Sequence, residues 1–282
     1  MYAITAALVT TLASPVTEFD AWYTLSLSGT QAGWQHTTDR IEGERRIRTS
    51  TEEMRIGRAN VEVTVTSKTT WTEDLKGRPI SMEWSQLMAG SPVKTTWTFH
   101  PEEIQITVVQ GDRTSTSLQP APTIPWLTPS AAEELIAIRA SAGAKEISWH
   151  TMLPDMGTQP VRQTMTRLSD EELKVRGRVM KVSKWGVQIE GLPVAMKTWL
   201  STDWRPVMTT MQAPFGELRA MMCSQEEALA GSQSDAPELF MSLFIKPVGQ
   251  QSLSASATNA VMRVSTSDGS PLLLPTVGAQ SV

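Results

Sequence analysis

The chain has 282 residues, with 25 Lys and Arg against 29 Asp and Glu, and a formal net charge of −4. One Cys excludes an intrachain disulfide framework or thiolate cluster. A mildly acidic balance without basic blocks argues against nucleic acid as a partner.

The chain opens on a short apolar run at residues 3–13, with small residues at Thr11-Leu-Ala13. This resembles the apolar region of an export signal, although the usual preceding Lys or Arg is missing. We therefore expect residues 1–17 to be a signal segment and the mature chain to be extracytoplasmic, periplasmic or secreted. The run is too short to span a bilayer, which takes about 20 apolar residues. No later stretch reaches that length, so no transmembrane segment is expected in the mature chain.

From Ala21 the pattern is strand, turn, strand. Thr, Trp and β-branched residues dominate, and they pack well on a half-buried pleated surface. Strands are predicted at 21–27, 33–40, 45–55, 61–71, 80–88, 93–99, 104–109 and 113–118. Gly29, Gly43, Gly77, Gly90 and Gly111 punctuate them, as in an antiparallel meander. Pro120-Ala-Pro-Thr-Ile-Pro-Trp126 then breaks the pattern.

A helix follows near 129–142. Thr128 is placed to cap it with Pro129 at the first helical position; alternatively, Ser130 and Glu133 form a capping box. Ala131, Leu135 and Ile138 share one face, and Gly143 ends the helix. Strands resume at 145–153, 161–168, 173–182, 192–200, 207–212 and 217–223. A short helix begins at Ser224, with Glu227 in capping-box spacing. Residues 231–238 read as a linker, and 239–282 as a small β element with strands at 239–245 and 259–266. The expected fold is mainly β: a large antiparallel meander, 18–230, forming a curved or half-open barrel-like sheet with one inserted helix and a short C-terminal helix. The one-dimensional pattern leaves open one continuous sheet or two packed sheets.

The order of landmarks resembles the N-terminal non-catalytic region of bacterial transglutaminase-like proteins. The resemblance rests on Trp22-Tyr23 with Gly29 and Gly33-Trp34, Arg58 before Val61-Glu-Val-Thr-Val65, and Trp71-Thr-Glu-Asp-Leu-Lys-Gly77. It continues through Ile124-Pro-Trp126, Trp199 with Asp203, Cys223-Ser-Gln-Glu-Glu-Ala228 and Leu274-Pro-Thr-Val-Gly-Ala-Gln280. It implies an accessory domain that positions a C-terminal transglutaminase-like catalytic domain or another envelope protein. The sheet pattern also looks like lipoprotein-carrier-like envelope proteins, which implies a hydrophobic ligand as the alternative.

The catalytic apparatus of that family does not carry over. Such enzymes use Cys, His and Asp in that chain order, with the thiol activated beside the His. Here His36, His100 and His150 all precede Cys223. No catalytic residue is therefore assigned. The three His have no metal-ligand spacing, so no metal or other cofactor is expected. Acidic pairs at Glu52-Glu53, Glu102-Glu103, Glu133-Glu134 and Glu171-Glu172 adjoin turns or helix starts, where solvated charge is the ordinary reading. The Trp residues carry the remaining signal, because the ring is both apolar and a hydrogen-bond donor. Trp22, Trp34, Trp71, Trp84, Trp97 and Trp199 form the candidate ligand-binding set on a sheet face; core packing accounts for the same pattern.

Overall fold

The computed structural model describes residues 18–58, 61–88, 90–213 and 216–231. The signal segment, the linker beyond Gly231 and the small β element expected at 239–282 lie outside these residues.

The described chain builds one 14-stranded antiparallel sheet. The first run comprises β1 (Phe19–Leu27), β2 (Thr30–Glu42), β3 (Arg45–Arg58), β4 (Val61–Asp74), β5 (Pro79–Met88), β6 (Ser91–Phe99), β7 (Glu103–Gln110) and β8 (Arg113–Pro120). Helix α1 (Pro129–Ser141) follows. The second run comprises β9 (Glu146–Thr151), β10 (Val161–Val175), β11 (Arg178–Ile189), β12 (Leu192–Leu200), β13 (Pro206–Ala213) and β14 (Gly216–Cys223), ending in α2 (Gln225–Ala230). The two runs join where β1 pairs with β14, in the register Trp22 to Cys223. The sheet is not closed, and its edges are β8 and β9.

The sheet curves around α1. Eight strand positions separate β3 from β9, about 38 Å along a sheet with ~4.8 Å between strands. Helix α1 spans only about 20 Å at 1.5 Å per residue. It nevertheless packs against residues of β9 to β12 and forms ion pairs with Arg46 and Arg48 of β3. Met152, just past β9, likewise packs into a cluster with Trp71, Met82, Trp97 and Ile104 of β4 to β7. The proline-rich segment seals that cluster: Trp126 lies 6.0 Å from Trp71 and 5.5 Å from Phe99 between ring centroids.

Caps and turns set the element ends. Thr128 Oγ1 accepts from Ala131 N, with Pro129 at the helix start. The alternative Ser130–Glu133 box does not form, because the Glu133 side chain turns to Arg48 and Arg205. At α2 both bonds of the Ser224–Glu227 capping box are present.

Two expectations need correction. The strands expected at 161–168 and 173–182 are one long hairpin, β10–β11, turning at Arg176-Gly177. Both residues have positive φ, 49° and 72°, as a two-residue hairpin turn of the right twist requires. The polar run Ser169–Glu172 continues β10 past a register shift at Arg167/Ser169 instead of ending it.

The buried face of α1 also differs from the expected Ala131, Leu135, Ile138 stripe. Ile138 is 54% exposed, whereas Ala132 and Ala140 are buried with Ile147, Trp149, Met165, Trp185 and Leu200. The helix is turned so that Glu133 and Glu134 reach the arginines of β3.

Candidate functional site

Register assigns every side chain to a face, because directly paired strand residues point to the same side. One row runs Asp39, Arg48, Trp71, Met82, Trp97, Ile106 across β2 to β7. This is the helix face, since Arg48 meets Glu133 of α1. Trp84 is two residues from Met82 on β5 and shares that face. The neighbouring row, Cys223, Trp22, His36, Thr51, faces the other way. Trp34 belongs to that outer face, and so does Trp199, through the row Trp34, Thr24, Met221, Met208, Trp199.

The six candidate Trp residues are therefore split between two faces. Trp71, Trp84 and Trp97 pack in the helix-face core. Trp199 is buried on the outer face, donating its indole N–H to Glu171 at 3.0 Å beneath Lys184. Trp22 and Trp34 stay half-buried, with ring centroids 5.4 Å apart. This last pair is extended by His36, which stacks on Trp22 at 4.0 Å and bonds Asp20 at 2.9 Å.

That stacking decides what the thiol can do. Cys223 and His36 flank Trp22 on adjacent strands, so about 10 Å of sheet separates them. Cys223 is buried, and its thiol is pushed up to about 11 by burial and by Glu227. A cysteine nucleophile acts as the thiolate beside a base; this one is held as the neutral thiol with a Trp ring in between. The other two His sit in the β6–β7 turn, His100, and in β9, His150.

On the helix face, a charged clasp holds α1 to the sheet. Arg46 Nε donates to Asp39 at 2.8 Å, and its Nη1 donates to Glu134. Arg48 Nη2 donates to Glu133 at 2.5 Å, and Arg205 Nη1 donates to the other oxygen of Glu133 at 3.3 Å. Asp39 Oδ2 and Arg48 Nη1 lie 3.5 Å apart as an ion pair. The Thr128 hydroxyl donates to Glu73, and the Tyr23 hydroxyl donates to Pro206 O at 3.0 Å. Asp39 is 1% exposed, and its Oδ2 and Arg48 Nη1 face each other as an ion pair without a hydrogen bond.

Burial raises the Glu133 carboxyl, but Arg48, Arg205 and Arg46 outweigh it and hold the group below its ordinary range. Glu73 moves the other way. Burial raises it, Asp39 and Glu134 add to the rise, and the Thr128 bond and Arg46 oppose it. The asymmetry follows from charge: among these groups four carboxylates meet three guanidinium groups. Glu133 has the arginines closest, and Glu73 is left with the excess.

Sequence alone reads Glu133-Glu134 as solvated helix-start charge and does not single out Asp39, Arg46 and Arg48. Their signal was the alternation of Arg46 and Arg48 on one face of a strand.

A second feature is an open groove of about 500 Å³ on the outer face, between β14, α2 and the β10–β11 turn. Thr24, Met221 and Cys223 form its floor, Met222 also lines it, and Lys174 and Arg176 stand exposed at its rim. Arg176 Nε donates to Cys223 O at 3.0 Å, pinning the hairpin tip over the floor.

Among the described residues no group of three or more His, Cys, Asp or Glu is arranged to hold a metal ion. No helix among them is long and apolar enough to cross a membrane. Comparison with known proteins returns no match, whether to a family model, a curated protein or a solved structure.

Proposed function

We propose that this chain is a non-catalytic β platform that holds a partner polypeptide. The observation that carries the reading is the state of its one thiol: Cys223 is buried, raised to about 11, and separated by Trp22 from the His36–Asp20 pair. The buried clasp supports the same reading, because it spends the charged residues of the helix face on holding α1 in place. The first partner to try is the one the sequence resemblance implies, a transglutaminase-like catalytic domain. The N-terminal apolar run supports an extracytoplasmic setting for the pair.

The test has two parts. The chain is assayed for isopeptide and peptide hydrolysis, with Cys223→Ala as control; Cys223-dependent turnover overturns the reading. It is then titrated calorimetrically with a transglutaminase-like catalytic domain. Saturable binding supports the reading, and absence of heat removes that partner.

A second reading is favoured by the outer groove. Its volume lies within the roughly 300–1,000 Å³ common for small-molecule sites. A methionine floor below two basic rim residues suits an apolar chain ending in an acid. A fluorescent fatty acid is the probe. Uptake lost in Lys174→Glu with Arg176→Glu supports this reading, and no uptake by the wild type removes it.

A further inference from the structure

The two edges of the sheet are treated differently. The β9 edge is met at its C-terminal end: Leu127 N donates to His150 O at 2.8 Å, and Thr151 Oγ1 donates to Leu127 O at 3.0 Å. Among the described residues nothing pairs with the far side of β8, and all eight of its residues are exposed. Exposed edges are usually blunted by charge, proline or a bulge. In β8, Arg113 and Pro120 stand at the two ends, and the register with β7 runs without a shift. The stretch Thr114-Ser-Thr-Ser-Leu-Gln119 between them carries neither charge nor proline.

We propose that two copies of this chain pair antiparallel through β8, about a two-fold axis at Thr116 that continues the sheet from one copy into the other.

Symmetry and sequence select that register. A two-fold axis perpendicular to the sheet keeps the helix faces of both copies on one side. It therefore pairs only residues of like face, and offsets that mix faces drop out. Centring on Thr116 pairs Arg113 with Gln119, Thr114 with Leu118, Ser115 with Ser117, and Thr116 with its own copy. Nearly the whole strand is used, and the one charged side chain of β8 meets an amide, not its own like charge. Centring on Ser115 instead sets Leu118 against Asp112. Centring on Ser117 sets Thr114 against Pro120, which has no N–H to donate.

The outer face supplies the second argument. Directly paired residues form the row Thr38, Thr49, Thr70, Glu83, Thr96, Thr107, Thr116 from β2 to β8. Thr49 and Thr70 hydroxyls lie 3.3 Å apart, as do those of Thr107 and Thr116. Cross-strand Thr pairs stabilise antiparallel sheets. The Thr116 axis extends this row by another such pair. One short edge buries less than the roughly 1,200–2,000 Å² of a standard stable interface, so the association is reversible and concentration-dependent.

The test is sedimentation equilibrium of the full chain over a wide concentration range, together with cysteine cross-linking. The expected result is a monomer–dimer equilibrium for the wild type. Thr116→Cys forms a disulfide-linked dimer under mild oxidation, because directly opposed Cα atoms lie about 4.5–5.5 Å apart. Thr114→Cys does not, because its own copy lies about 13 Å away along the strand. The native thiol is buried and leaves the background clean. Ser115→Lys with Ser117→Lys sets ammonium groups opposite one another and weakens dimerisation about tenfold or more. A wild type that stays monomeric at all concentrations overturns the proposal. So does cross-linking as efficient at residue 114 as at 116, or a β8 whose amides are protected from exchange only when a foreign peptide is added.

Discussion

Glu133 of α1 and Arg48 of β3 lie 2.5 Å apart, and Arg205 approaches the other oxygen of the same carboxylate at 3.3 Å. One glutamate therefore ties the inserted helix to both runs of the meander. Removing it takes away the carboxylate that two largely buried guanidinium groups share. Breaking a buried pair from one side costs about 3–5 kcal/mol. Glu133→Ala is expected to lose about 3 kcal/mol in urea unfolding. Glu134, 41% exposed, is expected to lose less than about 1 kcal/mol on the same change.

The same carboxyl sets an acid limit. Its pKa is lower in the fold than the ordinary 4.5, so its contribution is present above about pH 4.5 and lost as pH falls through the depressed value. Thermal melts between pH 7 and pH 3 are expected to fall at the acid end for the wild type. Glu133→Gln flattens that part of the profile.

Glu73 carries the opposite sign. Its pKa is raised above the ordinary 4.5, with burial the largest cause. The native state then holds a proton that the unfolded chain releases, and stability declines as pH rises from about 4.5 through the raised value. Glu73→Gln keeps an acceptor for the Thr128 hydroxyl and removes the excess charge. It is expected to melt at or above the wild-type temperature at pH 8 and to lose this advantage near pH 4. Glu73→Ala, which strands the Thr128 hydroxyl, is expected to melt lower at both.

Cys223 is expected to react slowly. A thiol raised from 9.0 to about 11 carries roughly a hundredfold less thiolate at pH 8. Ellman's reagent should therefore modify the native chain at least about a hundred times more slowly than the urea-unfolded chain. A native rate equal to the unfolded one contradicts the buried placement.

Gly33 has a steric reason to be glycine. It follows Ala32, where the β1–β2 register shifts, and it pairs with Met54. A Cβ built there meets Glu53 O at 1.8 Å, so β2 and β3 must separate to accept one. Gly33→Ala is expected to cost more than about 2 kcal/mol, read as a lower urea midpoint with an unchanged slope.

Much of the fold was legible from residues alone. Alternation, glycine turns, the Thr128 and Ser224 caps and the proline break before α1 are local signals. They depend on φ and ψ preferences and on side chains bonding their own backbone. These determined a mainly antiparallel β chain with an inserted helix.

What only the tertiary structure decided is non-local. Whether Trp199 lies beside Trp71 or behind it depends on parity summed over many strand pairings, and each register shift can reverse it. The rotation of α1 depends on Arg46 and Arg48, more than 80 residues earlier in the chain than Glu133 and Glu134. A helix half that is apolar can turn toward either the hydrophobic cluster of β9 to β12 or the arginines of β3. The cost of leaving buried guanidinium groups unpaired outweighs that of exposing Ile138. Which sheet edge stays bare rests on the same kind of fact: the backbone of Leu127 meets β9, and among the described residues no strand meets the far side of β8.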